Sequence, residues 1–142
     1  MGIRFKAEDL SRMLPPQSGW QKLEVQNVIE TASNDKLSVN FIFTLEIIAS
    51  AIDDKNIGRT VTRYYNSKAM SFFGYFLAAV WNLSMEDAAA KISDLIKNDE
   101  ELDPASFKGS QAWNELVDEV YNNKPQVKVS DNWAYADAEP PF

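Results

Sequence analysis

The sequence contains no histidine and no cysteine. Without histidine, it lacks the commonest general base, the usual transition-metal ligand and every serine–histidine or cysteine–histidine nucleophile pair. Without cysteine, it can form neither disulfides nor thiolate metal sites, which agrees with a reducing cytoplasm. We therefore expect a protein of the cytoplasm, with no metal site.

Long hydrophobic runs are also missing. No apolar stretch reaches the roughly 18 residues that a membrane-spanning helix needs, and the opening residues MGIRFK have no apolar core of a signal peptide. The 142 residues are 45% hydrophobic and 25% charged, which is ordinary for a soluble globular protein. We expect one soluble domain with no membrane partner.

Enzyme motifs are scarce. Phosphate-binding loops of the GxxxxGK[ST] and GxGxxG types are absent. A metal-dependent nuclease would need carboxylates and a lysine converging on a divalent ion, and Glu46 with Asp53, Asp54 and Lys55 offers those groups. Residues 53–55 lie in a turn-like stretch, however, where charges normally meet only water. We expect no catalytic residues, no enzyme activity and no cofactor.

Positive charge is scarce in the second half of the chain. The net charge is −7, with residues 1–70 carrying +1 and residues 71–142 carrying −8. An acidic protein is a poor candidate for nucleic-acid binding, because neutralising phosphates supplies most non-specific affinity. The uneven distribution weakens this objection without removing it.

The clearest pattern that is present is an alternation from Leu37 to Ile48. Its even positions are mostly polar and its odd positions are all apolar: Leu37, Val39, Phe41, Phe43, Leu45 and Ile47. This alternation predicts a half-buried strand. Twelve residues would span roughly 40 Å at about 3.3 Å each, a length at which strands curl into small barrels.

The remaining elements follow in chain order. Strands are predicted at residues 20–31, 58–66 and 126–129, the last continuing to Trp133, and residues 33–36 and 122–123 form turns. Two helices are predicted between the third and closing strands, one from Met70 to Trp81 capped by Ser67 and one starting after Ser84. Residues 111–121 fit either a helix or a strand.

The last residues, Asp137 to Phe142, form an acidic segment that ends in Pro-Phe. This segment resembles the C-terminal tip of bacterial single-stranded DNA-binding proteins, although it has only two acids, and Pro140 stands where an aliphatic residue is usual. The resemblance implies a partner-binding peptide that docks on replication, recombination and repair proteins. A terminal Phe would fill an apolar pocket while its carboxylate pairs with Arg or Lys. The partner-binding residues would be Asp137, Glu139, Pro140, Pro141 and Phe142.

The body of the chain shows a second similarity. Gly19-Trp20 starts a strand, residues 56–59 read NIGR, and residues 121–126 read YNNKPQ before the closing strand. This order resembles phage single-stranded DNA-binding proteins with an OB-fold, over roughly residues 18–133. The resemblance implies a mainly β (α+β) fold, namely a five-stranded, partly open Greek-key barrel with helices between strands 3 and 4, and it favours a strand at residues 111–121. Residues 1–17 would form an N-terminal arm and residues 134–142 a disordered tail.

OB-folds bind single strands by stacking bases on aromatic rings in a groove with basic side chains. The third strand alternates both kinds of residue, and further pairs lie on the first and last strands. The expected DNA-binding residues are Arg59, Arg63, Tyr64, Tyr65, Trp20, Lys22, Trp133, Lys124 and Lys128. For Trp20, Tyr65 and Trp133 the alternative is a place in the barrel core, and for the two arginines it is a solvated face.

The resulting hypothesis is a protein that coats single-stranded DNA with little sequence preference during phage replication and recombination, and recruits partners through its tip. The alternative is an acidic protein-interaction module, such as a phage factor that binds a host protein and not DNA. Oligomeric state is open, with a homodimer among the alternatives. Site size, DNA-versus-RNA preference and the identity of the tail partners are open as well.

Overall fold

The computed structural model describes residues 2–140. Within this range all five strands form one antiparallel sheet in the order β3-β2-β1-β4-β5. The elements are α1 (Ala7–Met13), β1 (Gly19–Ala32), β2 (Val39–Ser50), β3 (Thr60–Asn66), α2 (Ser71–Val80), α3 (Met85–Lys97), β4 (Gln111–Tyr121) and β5 (Lys124–Tyr135). The expected mainly β fold with five strands and accompanying helices is confirmed. Among the described residues, no helix is both long enough and apolar enough to cross a membrane.

β1 and β2 form a long antiparallel hairpin, and β2 contains most of the alternating stretch that begins at Leu37. Their odd-numbered central residues are buried, among them Leu23, Val25, Phe43, Leu45 and Ile47. The even-numbered residues between them face the other side of the sheet, as expected for a period of two. The two strands pair antiparallel with two register shifts, which increase local twist and help a sheet to curl.

The turn between β1 and β2 is longer than predicted, so β2 begins at Val39. The Ser33 amide donates to the Ser38 carbonyl at 3.0 Å, and the Leu37 amide donates to the Asp35 carboxylate at 2.9 Å. These bonds hold Leu37 in the turn, where it is exposed. The prediction that Leu37 lies on the buried face of the strand is therefore wrong.

The core lies between the inner face of the sheet and α2. Phe43 on β2 contacts Phe73 and Phe76 on α2 with ring centroids 5.6 and 5.5 Å apart. Tyr65 on β3 lies 4.9 Å from Phe73, and Phe107 joins the same cluster. Edge-to-face and tilted pairs of this kind add to the free energy gained by burying large apolar surfaces.

The two helix starts differ in how well the sequence predicts them. Ser84 caps α3 as expected, because its hydroxyl accepts a hydrogen bond from the Asp87 amide at 3.1 Å. Ser67 does not cap α2. Its hydroxyl accepts from the Val39 amide at 2.9 Å instead, and Met70 occupies the cap position.

Residues 111–121 form a strand, β4, which the OB-fold resemblance favoured. Residues 111–116 pair with residues 19–24 of β1, and β4 also pairs with β5 along its length. These ladders satisfy the backbone on both sides and override the helical spacing of the apolar residues. β5 is longer than predicted, since it continues through Ala134 and Tyr135, two residues expected in the tail.

Candidate nucleic-acid interface

A groove of about 640 Å³ lies between β3 and the hairpin formed by β4 and β5. We call it the strand groove. One wall is built by β3 and the other by the hairpin, and the N-terminal arm also contributes. Its lining includes Thr60, Thr62 and Tyr64 from β3, Glu119, Tyr121, Gln126 and Lys128 from the hairpin, and Pro15 and Pro16 from the arm.

The alternation of β3 places Tyr64 in this groove. Val61 and Tyr65 are buried on the inner face, so Thr60, Thr62 and Tyr64 face outward. Tyr64 is 61% exposed. Its ring is therefore accessible to a ligand.

The second exposed ring in the groove belongs to Tyr121, at the end of β4, which is 62% exposed. Asn122 and Asn123 both have positive φ angles of 51° and 62°, which is typical of the two-residue turn that joins hairpin strands. The predicted turn at these residues is confirmed. Tyr121 is not among the expected DNA-binding residues. An aromatic residue directly before an Asn-Asn turn does, however, indicate an exposed ring at the end of a hairpin.

Charges of both signs line the strand groove. The Lys128 ammonium lies 3.7 Å from the Glu119 carboxylate. The same carboxylate accepts a hydrogen bond from the side-chain amide of Gln126. Lys124 is exposed at the base of the hairpin turn. The groove thus offers the Lys128 ammonium to a phosphate backbone, with Lys124 nearby on the turn, but Glu119 neutralises part of the attraction of Lys128.

Arg63 does not lie in the groove. Its guanidinium donates to the Val129 carbonyl at 2.8 Å and to the Asp131 carboxylate at 2.9 Å, both on β5. The same group lies 4.7 Å from the centre of the Tyr65 ring. These contacts engage the guanidinium within the protein, so Arg63 joins β3 to β5 and does not line the groove where a phosphate contact was expected.

Tyr65 is 2% exposed and packs in the aromatic core. Burial raises the pKa of its phenol above the ordinary value, while the nearby charge of Arg63 acts in the opposite sense. A ring with no accessible face cannot stack on a base. The core alternative therefore holds for Tyr65.

Trp133 lies beside the aromatic core that contains Tyr65. It packs against the buried cluster, and its ring centroid lies 5.1 Å from that of Phe76 on α2. Trp20 and Lys22 lie at the start of β1, opposite Glu115 and Trp113 of β4. The structure does not bring Trp20, Lys22 or Trp133 into the strand groove.

Arg59 lies just before β3, and its guanidinium donates to the Leu14 carbonyl. The Gln17 amide also donates to the Asn56 side chain at 3.2 Å, and the Asn56 side chain donates back to that of Gln17 at the same distance. These bonds fix the end of the arm beside the groove. Arg59 thus positions the arm that carries Pro15 and Pro16.

Two carboxylates lie side by side on the outer face of the sheet, on β1 and β2. Glu24 and Glu46 are directly opposite each other on β1 and β2. The side-chain amide of Gln26 donates to Glu24 at 3.2 Å and to Glu46 at 3.0 Å, and the side-chain amide of Gln111 donates to Glu24 at 2.7 Å. In the part of the chain that is described, no group of three acidic, histidine or cysteine residues is arranged to hold a metal ion.

The tail leaves β5 with a turn in which the Ala138 amide donates to the Tyr135 carbonyl at 3.0 Å. Asp137 and Glu139 are exposed, and Pro140 is half-buried. Pro141 and Phe142, the expected end of the partner-binding tip, lie outside the described residues. No protein-family model matches this chain, and no curated protein matches its sequence.

Proposed function

We propose that the protein binds single-stranded DNA in the strand groove, with little sequence preference. The observation that carries this proposal is the placement of two exposed rings, Tyr64 and Tyr121, on opposite walls of one groove. Every base has a π-face, so stacking on such rings tolerates any sequence and contributes about 1–3 kcal/mol per base.

The strand arrangement supports the proposal. β1 pairs with both β2 and β4, and the edge strands β3 and β5 contact each other, which is compatible with a partly open OB-fold barrel. OB-folds bind oligonucleotides on the face of strands 2 and 3, bordered by the loops between strands 1 and 2 and strands 4 and 5. In this protein the strand groove lies between β3 and the β4–β5 turn, and we assign α2 and α3 to the insertion between the third and fourth strands.

The proposed contacts are fewer than the sequence suggested. Tyr64 and Tyr121 stack on bases, while Lys128 and Lys124 neutralise phosphates. The acidic C-terminal segment then serves as the proposed docking peptide for replication, recombination or repair proteins in a bacterial host cytoplasm. Under this division of roles, Lys128 and the exposed Lys124 supply the positive charge for phosphates in a molecule whose net charge is −7.

The second candidate is an acidic protein-interaction module that does not bind DNA. It is favoured by Glu119, a carboxylate in the groove itself that lies 3.7 Å from Lys128. A basic protein segment would pair with Glu119 and with the outer-face pair Glu24 and Glu46. The two candidates differ in their response to a single-stranded oligonucleotide.

A titration of fluorescent oligo(dT) at two salt concentrations tests the proposal. The wild type should bind and should lose affinity as salt rises, because each neutralised phosphate releases counterions. Tyr64→Ala and Tyr121→Ala should each weaken binding by about 5- to 150-fold, the equivalent of 1–3 kcal/mol per stacked base. Tyr75→Ala, which removes an exposed ring on α2, is the matched control and should bind as the wild type does. No binding at low salt, or equal affinity in all three variants, would contradict DNA binding in this groove.

A further inference from the structure

A second groove, of about 550 Å³, lies between the sheet, α2 and α3. We call it the helix groove, and it shares no lining residue with the strand groove. Its volume falls in the range of about 300–1,000 Å³ that is usual for ligand pockets. Apolar side chains dominate its walls, including Phe41, Met70, Phe73, Leu77, Leu95 and Ile96.

The α3 wall of this groove is incompletely covered. α3 packs on α2, and Ala88 is buried there. Farther along α3, Leu95 is half-buried and Ile96 is 75% exposed, and both line the groove. An apolar wall left open to water on a folded protein is a feature of interaction sites.

The rim of the helix groove is acidic. Glu30 on β1 and Glu100 and Glu101 after α3 line it, and all three are exposed. The ion pairs among the described residues join Arg63 to Asp131, Lys68 to Asp35 and Lys128 to Glu119, so the three rim carboxylates have no cationic partner there. The groove therefore favours an occupant with apolar side chains flanked by positive charges.

Residues 2–6 of this chain have that chemistry. Ile3 and Phe5 are 93% and 74% exposed, and Arg4 and Lys6 alternate with them. In an extended segment Ile3 and Phe5 project to one side, toward an apolar floor, while Arg4 and Lys6 start from the other side. Their long flexible stems let the charged ends reach carboxylates along the edge of the groove. The acidic segment that contains Asp137 and Glu139 would instead be repelled by the rim.

We propose that residues 2–6 of one copy dock in the helix groove of a second copy. Within its own molecule, the segment leads into an arm that is fixed beside the strand groove by Arg59 and Asn56, and no residue of the arm lines the helix groove. A neighbouring copy offers the same acidic groove with no such restriction. This contact does not require DNA, so it stands or falls independently of the function proposed above.

Sedimentation equilibrium at low salt, with two charge-reversal pairs, tests the proposal. The wild type should self-associate, and association should weaken as salt rises. Arg4→Glu with Lys6→Glu, and separately Glu100→Lys with Glu101→Lys, should each weaken association by more than about tenfold, because like charges then meet in the contact. An equimolar mixture of the two double variants should restore association, since each segment again finds a groove of opposite charge.

The matched control reverses Glu86 and Asp94 to lysine, on the part of α3 that does not line the groove. This variant should associate as the wild type does. All these positions are exposed, and circular dichroism should show that each variant is folded. A wild type that stays monomeric, variants that associate equally well, or a mixture that fails to associate would each overturn the proposal.

Discussion

Arg63 on β3 lies 2.9 Å from Asp131 on β5, across the line where the two edge strands of the sheet approach each other. The guanidinium also donates to the Val129 carbonyl at 2.8 Å. One side chain thereby bonds to both a side chain and the backbone of the opposite edge. Because edge strands expose unpaired backbone groups, this bridge both joins the two edge strands and satisfies a backbone carbonyl of β5.

The first prediction concerns the stability that this bridge provides. Arg63→Met should lower the free energy of unfolding by about 1.5–3 kcal/mol, the usual worth of hydrogen bonds to a charged group, because Val129 and Asp131 lose their donor. Arg59→Met, which frees only the arm, should cost less than about 1 kcal/mol. Urea denaturation followed by tryptophan fluorescence measures both changes. An Arg63→Met variant as stable as Arg59→Met would show that the bridge contributes little.

The third strand also shows why the candidate site was only partly predictable. Its alternation was recognised from the sequence, and successive residues of a strand face opposite sides. Tyr64 and Tyr65 therefore could not both face a ligand, and only the structure shows that Tyr65 is the buried one. Arg63 lies on the same inner side as Tyr65. Its partner Asp131 on β5 is 68 residues away in the sequence, so the residues around Arg63 do not indicate this contact.

The fold was more accessible to sequence reasoning than the site. The alternations at residues 20–31 and 37–48 place β1 and β2 to within two residues at each end, because burial of one face dictates the pattern. Residues 111–121 were undecided, since their apolar spacing fits a helix as well as a strand. Residues 111–121 form a strand because they pair with β1 on one side and with β5 on the other. Pairing with strands that are distant in sequence cannot be recognised from the spacing of neighbouring residues.

A second prediction concerns Asn114, a fully buried side chain on β4. Its amide donates to the carbonyls of Ser130 and Asn132 at 3.0 and 3.1 Å, and its oxygen accepts from the Ser130 amide at 3.2 Å. These bonds satisfy the backbone where the β4–β5 register shifts. Asn114→Ala should cost about 2–4 kcal/mol, because buried backbone groups lose their partners.

The control for Asn114 is Asn132→Ala, which removes an exposed side chain bonded to Glu115 at 3.0 Å. That change should cost less than about 1 kcal/mol. Thermal and urea unfolding of the two variants give the comparison. If both lose the same small amount, water replaces the Asn114 bonds and the side chain does not hold the shifted register.

A third prediction follows from the raised pKa of Tyr65, which is caused chiefly by burial. The unfolded chain releases the phenolic proton near pH 10, whereas the folded chain keeps it to higher pH. The stability that Tyr65 contributes is therefore fully present below about pH 10 and is lost as pH rises toward its folded pKa. Tyr65→Phe should lose less stability than the wild type between about pH 9 and about pH 11.

Urea midpoints at these two pH values measure the effect. Tyr64→Phe, which removes the hydroxyl of the exposed neighbouring ring, should lose as much stability as the wild type over the same interval. Equal losses in the wild type and in Tyr65→Phe would show that alkaline destabilisation has another origin.

A fourth prediction concerns the turn between β1 and β2. The Lys68 ammonium, 2.8 Å from Asp35, and the Ser33 hydroxyl and Leu37 amide hold the pKa of the Asp35 carboxyl well below its usual range. Its contribution to stability is present above the unfolded pKa of about 4 and is lost as pH falls toward the folded pKa. Asp35→Asn should therefore be less stable than the wild type at neutral pH, and the difference should shrink below about pH 4.

The matched control is Asp54→Asn, an exposed aspartate in the next turn of the chain. Its stability should follow that of the wild type across the acid range. Chemical denaturation at several pH values measures all three proteins. A difference between the wild type and Asp35→Asn that stays constant with pH would contradict an ionised Asp35 as the cause.

The last prediction uses Glu119 to test where DNA binds. Its carboxylate lies 3.7 Å from the Lys128 ammonium, and both line the strand groove. If phosphates bind beside Lys128, Glu119 repels them and competes for the same cation. Glu119→Gln should then tighten oligo(dT) binding by about two- to tenfold at low salt, because Lys128 is released and a negative charge is removed.

Lys128→Gln should have the opposite effect and weaken binding. The slope of the logarithm of the binding constant against the logarithm of the salt concentration should also fall by about one, the contribution of one phosphate contact. Glu115→Gln is the matched control, because Glu115 lies on the same strand as Glu119 but does not line the groove. It removes the same charge from the protein as a whole, so it corrects for net charge. If Glu119→Gln and Glu115→Gln raise the affinity equally, the effect comes from overall charge and DNA does not bind beside Lys128. A gain confined to Glu119→Gln, and lost when Lys128→Gln is added, would place the phosphate backbone in the groove between Tyr64 and Tyr121.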